Sequence, residues 1–222
     1  LIDIPFKALG LKYPTDVECS IGTIFTKMWS ADYYPEGCPP SSSVSLHFDA
    51  TEKNKSPIQM TWSDGGIKPF HPDLLPADVS IEDNGVIMIG EKGVITCDSY
   101  GNDPKLYLKG EPVIKGERVR VSEPEFGHQR LWVDACKAGF NSEEHKSLTS
   151  SFDYSGPLTE TVLMGNIAIR SYNLEEKKEG SRRSSYIGRK KLLWDGDNMK
   201  IKNLEAANQF VTRDYREGWE LT

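Results

Sequence analysis

The chain has 222 residues, 37% of them hydrophobic and 27% charged, with a formal net charge of -6. That composition is ordinary for a globular protein long enough to bury its own core without staples. The acidic balance argues against a broad nucleic-acid or anionic-membrane surface, which needs surplus Lys and Arg, and no apolar run reaches the length of a bilayer span.

Along the chain, Ile2 to Leu9 is apolar and stops at Gly10, which suits the end of a helix with a glycine cap. Pro5 fits such a helix only in its first turn. The opening Leu1-Ile2-Asp3 has no initiator Met, basic region or leader-like core, and reads as a trimmed chain. From Pro14 to Phe25 the apolar Val17, Cys19 and Ile21 alternate with Asp16, Glu18 and Ser20, which predicts a half-buried strand. Residues 26–43, rich in Pro and Ser, read as a loop holding Trp29, Tyr33 and Tyr34, aromatics suited either to a partner contact or to covering the core. Residues 44–49 and 58–63 alternate cleanly around a polar turn and predict an antiparallel hairpin.

Asp64-Gly65-Gly66 ends the second of these strands, and a proline-rich loop follows to Pro76. A tight hairpin is expected where Val86–Ile89 and Val94–Cys97 flank Gly90-Glu91-Lys92-Gly93. Residues 101–123 look irregular, with a short strand at 105–108. A helix fits 125–138, led by Pro124, with His128, Leu131, Trp132, Ala135 and Cys136 on one face and Gly139 at the stop. A second helix fits 157–172, with Pro157 in its first turn and Gly165 implying a close packing contact. Residues 174–188 are charged and read as an exposed, mobile loop, residues 190–195 as an edge strand, and 204–211 as a short helix.

Strands first and helices later predict an α+β fold, an open, mainly antiparallel sheet with helices on one face. Cys19, Cys38, Cys97 and Cys136 are scattered without a C-x-x-C pair, so free thiols or buried small apolar groups are expected, with one incidental disulfide as the alternative, and no metal site. No G-x-G-x-x-G follows a strand, so the usual dinucleotide-binding half is not expected in this chain.

Five strings, in order, carry a resemblance. They are Trp62-Ser63-Asp64-Gly65-Gly66-Ile67-Lys68-Pro69, Gly90-Glu91-Lys92-Gly93, His128 through Trp132 to Gly139, Phe152-Asp153-Tyr154-Ser155-Gly156-Pro157-Leu158-Thr159-Glu160, and Leu193-Trp194-Asp195-Gly196 with Tyr215-Arg216-Glu217-Gly218-Trp219. The chain resembles the C-terminal domain of the glucose–fructose oxidoreductase / inositol dehydrogenase / MocA family, in the form common in Bacteroidetes. The resemblance implies a sheet of the kind in the C-terminal domains of dihydrodipicolinate reductase and glyceraldehyde-3-phosphate dehydrogenase. It also implies NAD or NADP bound by a separate N-terminal domain, a sugar-type substrate, a homo-oligomer through the sheet, and a periplasmic or exported location, with the cytoplasm as the alternative. The family's catalytic Lys and His would precede Leu1, and Leu1-Ile2-Asp3 resembles the end of its Asp-x-x-x-His-x-x-Asp segment, which makes Asp3 a substrate ligand. Residues 174–188 depart from the pattern as a longer link.

Six residues are the expected substrate-binding set: Asp3, Trp62, Asp64, Lys68, His128 and Tyr154. Asp64 and Lys68 could bond sugar hydroxyls, with Trp62 as a ring face and the glycines admitting a sugar close to the backbone. The plain alternative is a turn with an exposed charge pair and a core Trp. His128 could bond a hydroxyl or move a proton, or simply pack on the sheet. Tyr154 could reach a sugar or cover the core, and Ser155 suits a helix cap. His47, His71 and His145 have no partners at ligand spacing. The expected function is oxidation or reduction of a sugar; the alternatives are an NAD-dependent glycoside hydrolase of the same family, or a non-catalytic assembly or carbohydrate-binding module.

Overall fold

The computed structural model describes residues 1–32, 37–117, 127–213 and 215–219. Tyr33, Tyr34 and the expected helix start at Pro124 and Glu125 lie outside the described residues. In chain order the elements are α1 (Asp3–Leu9), β1 (Asp16–Ile21), β2 (Ile24–Lys27), β3 (Ser30–Asp32), β4 (Ser42–Phe48), β5 (Ile58–Ser63), β6 (Val86–Ile89), β7 (Gly93–Cys97), β8 (Lys105–Leu108) and β9 (Ile114–Lys115). Then come α2 (Gly127–Ala138), α3 (Glu143–Ser147), α4 (Phe152–Ser171), β10 (Glu175–Glu176), β11 (Ser185–Tyr186), β12 (Leu192–Asp195), β13 (Lys200–Ile201) and a 3-10 turn at Glu205–Phe210. Every strand pair among the described residues is antiparallel. The strands and helices are therefore compatible with α+β. They form two larger sheets and two small hairpins rather than one open sheet.

The chain divides into two compact units, Leu1–Lys12 with Phe70–Glu160, and Tyr13–Pro69 with Thr161–Thr222. The second unit holds the five-stranded sheet, in the order β13-β12-β1-β4-β5. Period-two patterning sets its register: Val17 lies opposite Leu46 and Leu46 opposite Met60, while Cys19 lies opposite Val44 and Val44 opposite Trp62. Ser42, Val44, Leu46 and Phe48 are all buried along β4. The later residues of α4, with Thr161, Met164, Ile167 and Ala168 buried, bring Gly165 over Val44 on this face.

The opposite face of β1, β4 and β5 carries Asp16, Glu18, Ser20, Ser43, Ser45, His47, Gln59, Thr61 and Ser63. It is polar, so these strands lack the second apolar face that would force pairing with another sheet.

Sequence and structure part in several places. The strand expected to run to Phe25 stops at Ile21, and the following segment, expected as loop, turns into the β2–β3 hairpin. The strand expected at an edge, β12, lies between β13 and β1. The edge beyond it is closed by Asn208, whose side chain accepts from Ile201 N–H (2.7 Å) and donates to Ile201 C=O (3.1 Å). Residues 174–188 fold back as the β10–β11 hairpin rather than a structureless loop. Ile187 N–H bonds Leu174 C=O at 2.9 Å, and the Arg189 guanidinium lies 3.5 Å from the Tyr186 ring centroid and 4.9 Å from that of Tyr172.

Gly165 does not have the close contact expected of it. A Cβ there would stand 3.7 Å from Val44 Cγ1, an ordinary van der Waals separation. Alanine relieves the entropic cost of a helical glycine, so Gly165→Ala is expected to stabilise the second unit by about 0.5–1 kcal/mol. Urea unfolding measures this; a clear loss of stability would contradict the packing described.

In the first unit the sheet runs β6-β7-β8-β9. Leu75, Val94 and Tyr107 are its buried centre, with Leu74, Val79, Ile81 and Ile87 against them. The proline-rich loop thus supplies core residues. Gly93 lets β7 and β8 approach, since a Cβ would fall 2.3 Å from Tyr107 C=O. Helix α1 ends on Gly10 in the left-handed region (φ 65°), as its sequence suggests. Helix α2 is a correction: of the face expected to pack, only Ala135 is buried, while Leu131 and Trp132 are exposed. His145, expected in a loop, lies in α3, which Ser142 caps by accepting from His145 N–H at 3.1 Å.

Helix α4 begins at Phe152, five residues before the expected start at Pro157. Proline at its sixth position lies beyond the unpaired first-turn N–H groups and forgoes the bond to the Asp153 carbonyl, yet the helix continues through it. Ser155 is therefore inside the helix and not its cap. Ser151, just before the helix, accepts from Tyr154 N–H (3.1 Å) and Ser155 N–H (2.8 Å) through its carbonyl.

Candidate functional site

The early start of α4 turns Tyr154 from a loop residue into a first-turn helical one. Its ring stands edge-on to buried Phe6 of α1, with centroids 5.8 Å apart and planes at 87°. Phe6 lies one turn beyond Asp3, so the same face of α1 presents Asp3 to the phenol. The Tyr154 hydroxyl donates a hydrogen bond to Asp3 Oδ1. Two of the six expected residues, 151 positions apart in sequence, thus form one pair in the first unit.

Burial first, then the hydrogen bond and the charge of Asp3, raise the Tyr154 hydroxyl above the ordinary phenol value of 10.0. The phenol is therefore a persistent donor at neutral pH and not a general base. Asp3 remains exposed. A carboxylate acceptor beside a phenol can grip neighbouring hydroxyls of a polyol. The linkage sign follows: a phenol whose folded pKa exceeds its unfolded one adds stability that is complete below 10.0 and is lost as pH climbs through the folded value. The difference in phenolate absorbance between wild type and Tyr154→Phe isolates this hydroxyl. Its midpoint is expected above 10.0, and a midpoint at or below that value would contradict the pair.

Trp62 and Asp64 also meet, but as a structural clamp in the second unit. Asp64 Oδ1 accepts from Ser42 N–H (2.6 Å), and Oδ2 accepts from Ser42 Oγ–H (2.9 Å) and Trp62 Nε1–H (2.9 Å). Asp64 N–H in turn donates to Ser42 C=O at 3.0 Å. Ser42 is 1% exposed, so its two donors have little access to water, while Asp64 and Trp62 are half-buried. Gly65 (φ 64°) lets the turn lie on residues 40–41, where a Cβ would stand 2.2 Å from Pro40 C=O and 2.5 Å from Ser41 Cα. At Gly65 the close approach is thus made by the protein's own backbone, while nothing lies within 4 Å of a Cβ built on Gly66. Lys68 is exposed in the loop beyond.

His128, second residue of α2, is exposed. His71 approaches Val79 C=O through Nε2 at 3.0 Å. The structure adds a cluster that the sequence reading missed: His47 Nδ1 lies 2.6 Å from Asp16 Oδ1, Lys191 Nζ 3.4 Å from the same oxygen, and Thr15 Oγ1 donates to Asp16 Oδ2 at 3.1 Å. The signal was present, because once β1 and β4 are paired, Asp16 falls opposite His47 on the polar face.

The four cysteines are free thiols. Burial, with Glu18 adding, pushes the Cys19 thiol up to about 12, so it is a packing group and not a nucleophile. Among the described residues no cluster of three or more His, Cys, Asp or Glu could hold a metal, and no helix is long and apolar enough to cross a membrane. No family model and no curated protein matches this chain.

Proposed function

We propose that this chain is the substrate-side domain of an NAD(P)-dependent oxidoreductase acting on a sugar or sugar derivative, of the glucose–fructose oxidoreductase / inositol dehydrogenase / MocA kind. The Asp3–Tyr154 hydrogen bond carries this reading. With the phenol proton on Asp3 Oδ1, the pair leaves the second Asp3 oxygen and the phenol oxygen as neighbouring acceptors, which suits the hydroxyls of a polyhydroxylated ligand. The antiparallel five-stranded sheet with α4 over one face is compatible with the open-sheet domain of such enzymes.

The chain has no G-x-G-x-x-G, the fingerprint of the usual dinucleotide-binding half. In this reading another domain holds the cofactor, which supplies the hydride chemistry, while the residues here hold and orient the sugar. The first unit leaves Tyr100, Phe140 and Phe152 more than 80% exposed, with Leu131 and Trp132 of α2 also uncovered. That much exposed ring surface supports a covering partner such as the nucleotide-binding domain. An exported location and a homo-oligomer belong to the same proposal.

Calorimetry with NAD and NADP tests the assignment of halves. The 222-residue chain is expected to give no binding heat, and the same chain joined to a dinucleotide fold a clear one. Tight binding of either cofactor by this chain alone would overturn it.

A further inference from the structure

The hairpin β2–β3 stands apart from everything described so far. Among the described residues its two strands pair with each other and with no other strand, and a lone two-stranded hairpin is marginal in water unless a surface covers it. All four residues of β2 are exposed. Its apolar side chains are open to solvent: Ile24 at 47%, Phe25 at 61%, Met28 at 85% and Trp29 at 90%. Trp29 also holds a left-handed backbone, φ 65°, at the tip, where Gly or Asn would sit without steric cost. A strained position occupied by the largest side chain, turned outward, is poor for the isolated fold and good for recognition.

The occupant follows from area and charge. With a whole aromatic side chain offering about 150–250 Å², the four residues expose on the order of 500 Å² of apolar surface. A monosaccharide stacks on one ring and leaves Phe25 and Met28 in water. An anionic membrane would want cations at the tip, but Lys27 is the one cation in residues 24–32 and the chain carries a net charge of -6. One arm alone falls short of the roughly 800 Å² per partner of a standard interface. A two-fold exchange, in which each copy gives an arm and receives one, exceeds it. We propose that the β2–β3 hairpin is a dimerisation arm that docks Phe25, Met28 and Trp29 onto a second copy of this chain. This does not rest on the sugar reading, and it places the contact on the arm rather than on the polar face of the five-stranded sheet.

Sedimentation velocity across a concentration series tests the arm. The wild-type chain is expected to dimerise at micromolar concentration. Phe25→Ser with Trp29→Gly is expected to weaken the dimer at least 100-fold while leaving the circular dichroism and urea midpoint of the monomer unchanged, since glycine relieves the backbone at position 29. Should that double variant unfold, Met28→Lys, which puts a charge at the tip and leaves the backbone alone, is expected to weaken the dimer at least tenfold. A wild-type chain that stays monomeric up to about 100 μM, or a dimer that the folded variants leave intact, would overturn the proposal.

Discussion

Gly65→Ala is expected to cost the second unit about 2–5 kcal/mol, a large share of the roughly 5–15 kcal/mol that holds a domain folded. Two penalties add. A left-handed residue with a side chain is strained by about 1–2 kcal/mol, and here φ is 64°. The added Cβ would also meet Pro40 C=O at 2.2 Å and Ser41 Cα at 2.5 Å, and both obstacles are backbone. Relief requires moving the segment that leads into β4, which lies between β1 and β5 and buries every second residue, and overpacking of this kind costs a further 1–3 kcal/mol or so. Gly66 next door is the internal control. It has φ 87° but nothing within 4 Å of a built Cβ, so Gly66→Ala is expected to show only the backbone penalty. Urea melts of the two variants, followed by tryptophan fluorescence, separate the terms. Equal losses would mean that residues 40–41 do not press on Gly65.

Asp64→Ala is expected to destabilise the same unit by about 3–5 kcal/mol. The substitution strands three donors at once: Ser42 N–H, Ser42 Oγ–H and Trp62 Nε1–H. A buried donor left without an acceptor costs about 1–3 kcal/mol, and Ser42 is almost wholly buried. Asp64→Asn keeps one acceptor oxygen and nearly the same shape, so its loss is expected to be about half as large. Urea unfolding with both variants measures the difference. Unchanged stability in Asp64→Ala, accompanied by weaker sugar binding, would return Asp64 to the role its sequence context suggested and remove the clamp.

These two residues mark where the sequence was legible and where it was not. The alternation in 44–49 and 58–63 gave β4 and β5, because a strand with one buried face writes its burial into every second residue. The Asp64-Gly65-Gly66 turn was equally visible, but its purpose was not. Its partners at residues 40–42 lie more than twenty positions earlier, in a stretch that reads as loop. Pro157 hid the start of α4, since a proline is a natural first-turn residue and the sequence does not say that the helix tolerates it deeper. Hairpin β10–β11 was hidden by charge: its order comes from Arg189 lying against Tyr172 and Tyr186, not from apolar periodicity. Asp3 and Tyr154 were each legible as candidates. That they would touch depended on the register between α1 and α4, which no local pattern encodes.

On the proposed reading, the most direct test uses this chain joined to a dinucleotide-binding fold. NAD(P)H formation is followed against a panel of monosaccharides and their derivatives, for wild type, Asp3→Asn and Tyr154→Phe. A hydrogen bond to a charged group is worth about 1.5–3 kcal/mol, so Asp3→Asn is expected to lower kcat/KM for the active sugar about 10- to 150-fold. Tyr154→Phe is expected to lower it less, with the urea midpoint of Asp3→Asn little changed. Sugar turnover at the wild-type rate in both variants, or no sugar-dependent change in cofactor absorbance across the panel, would contradict the assignment of this pair to a sugar.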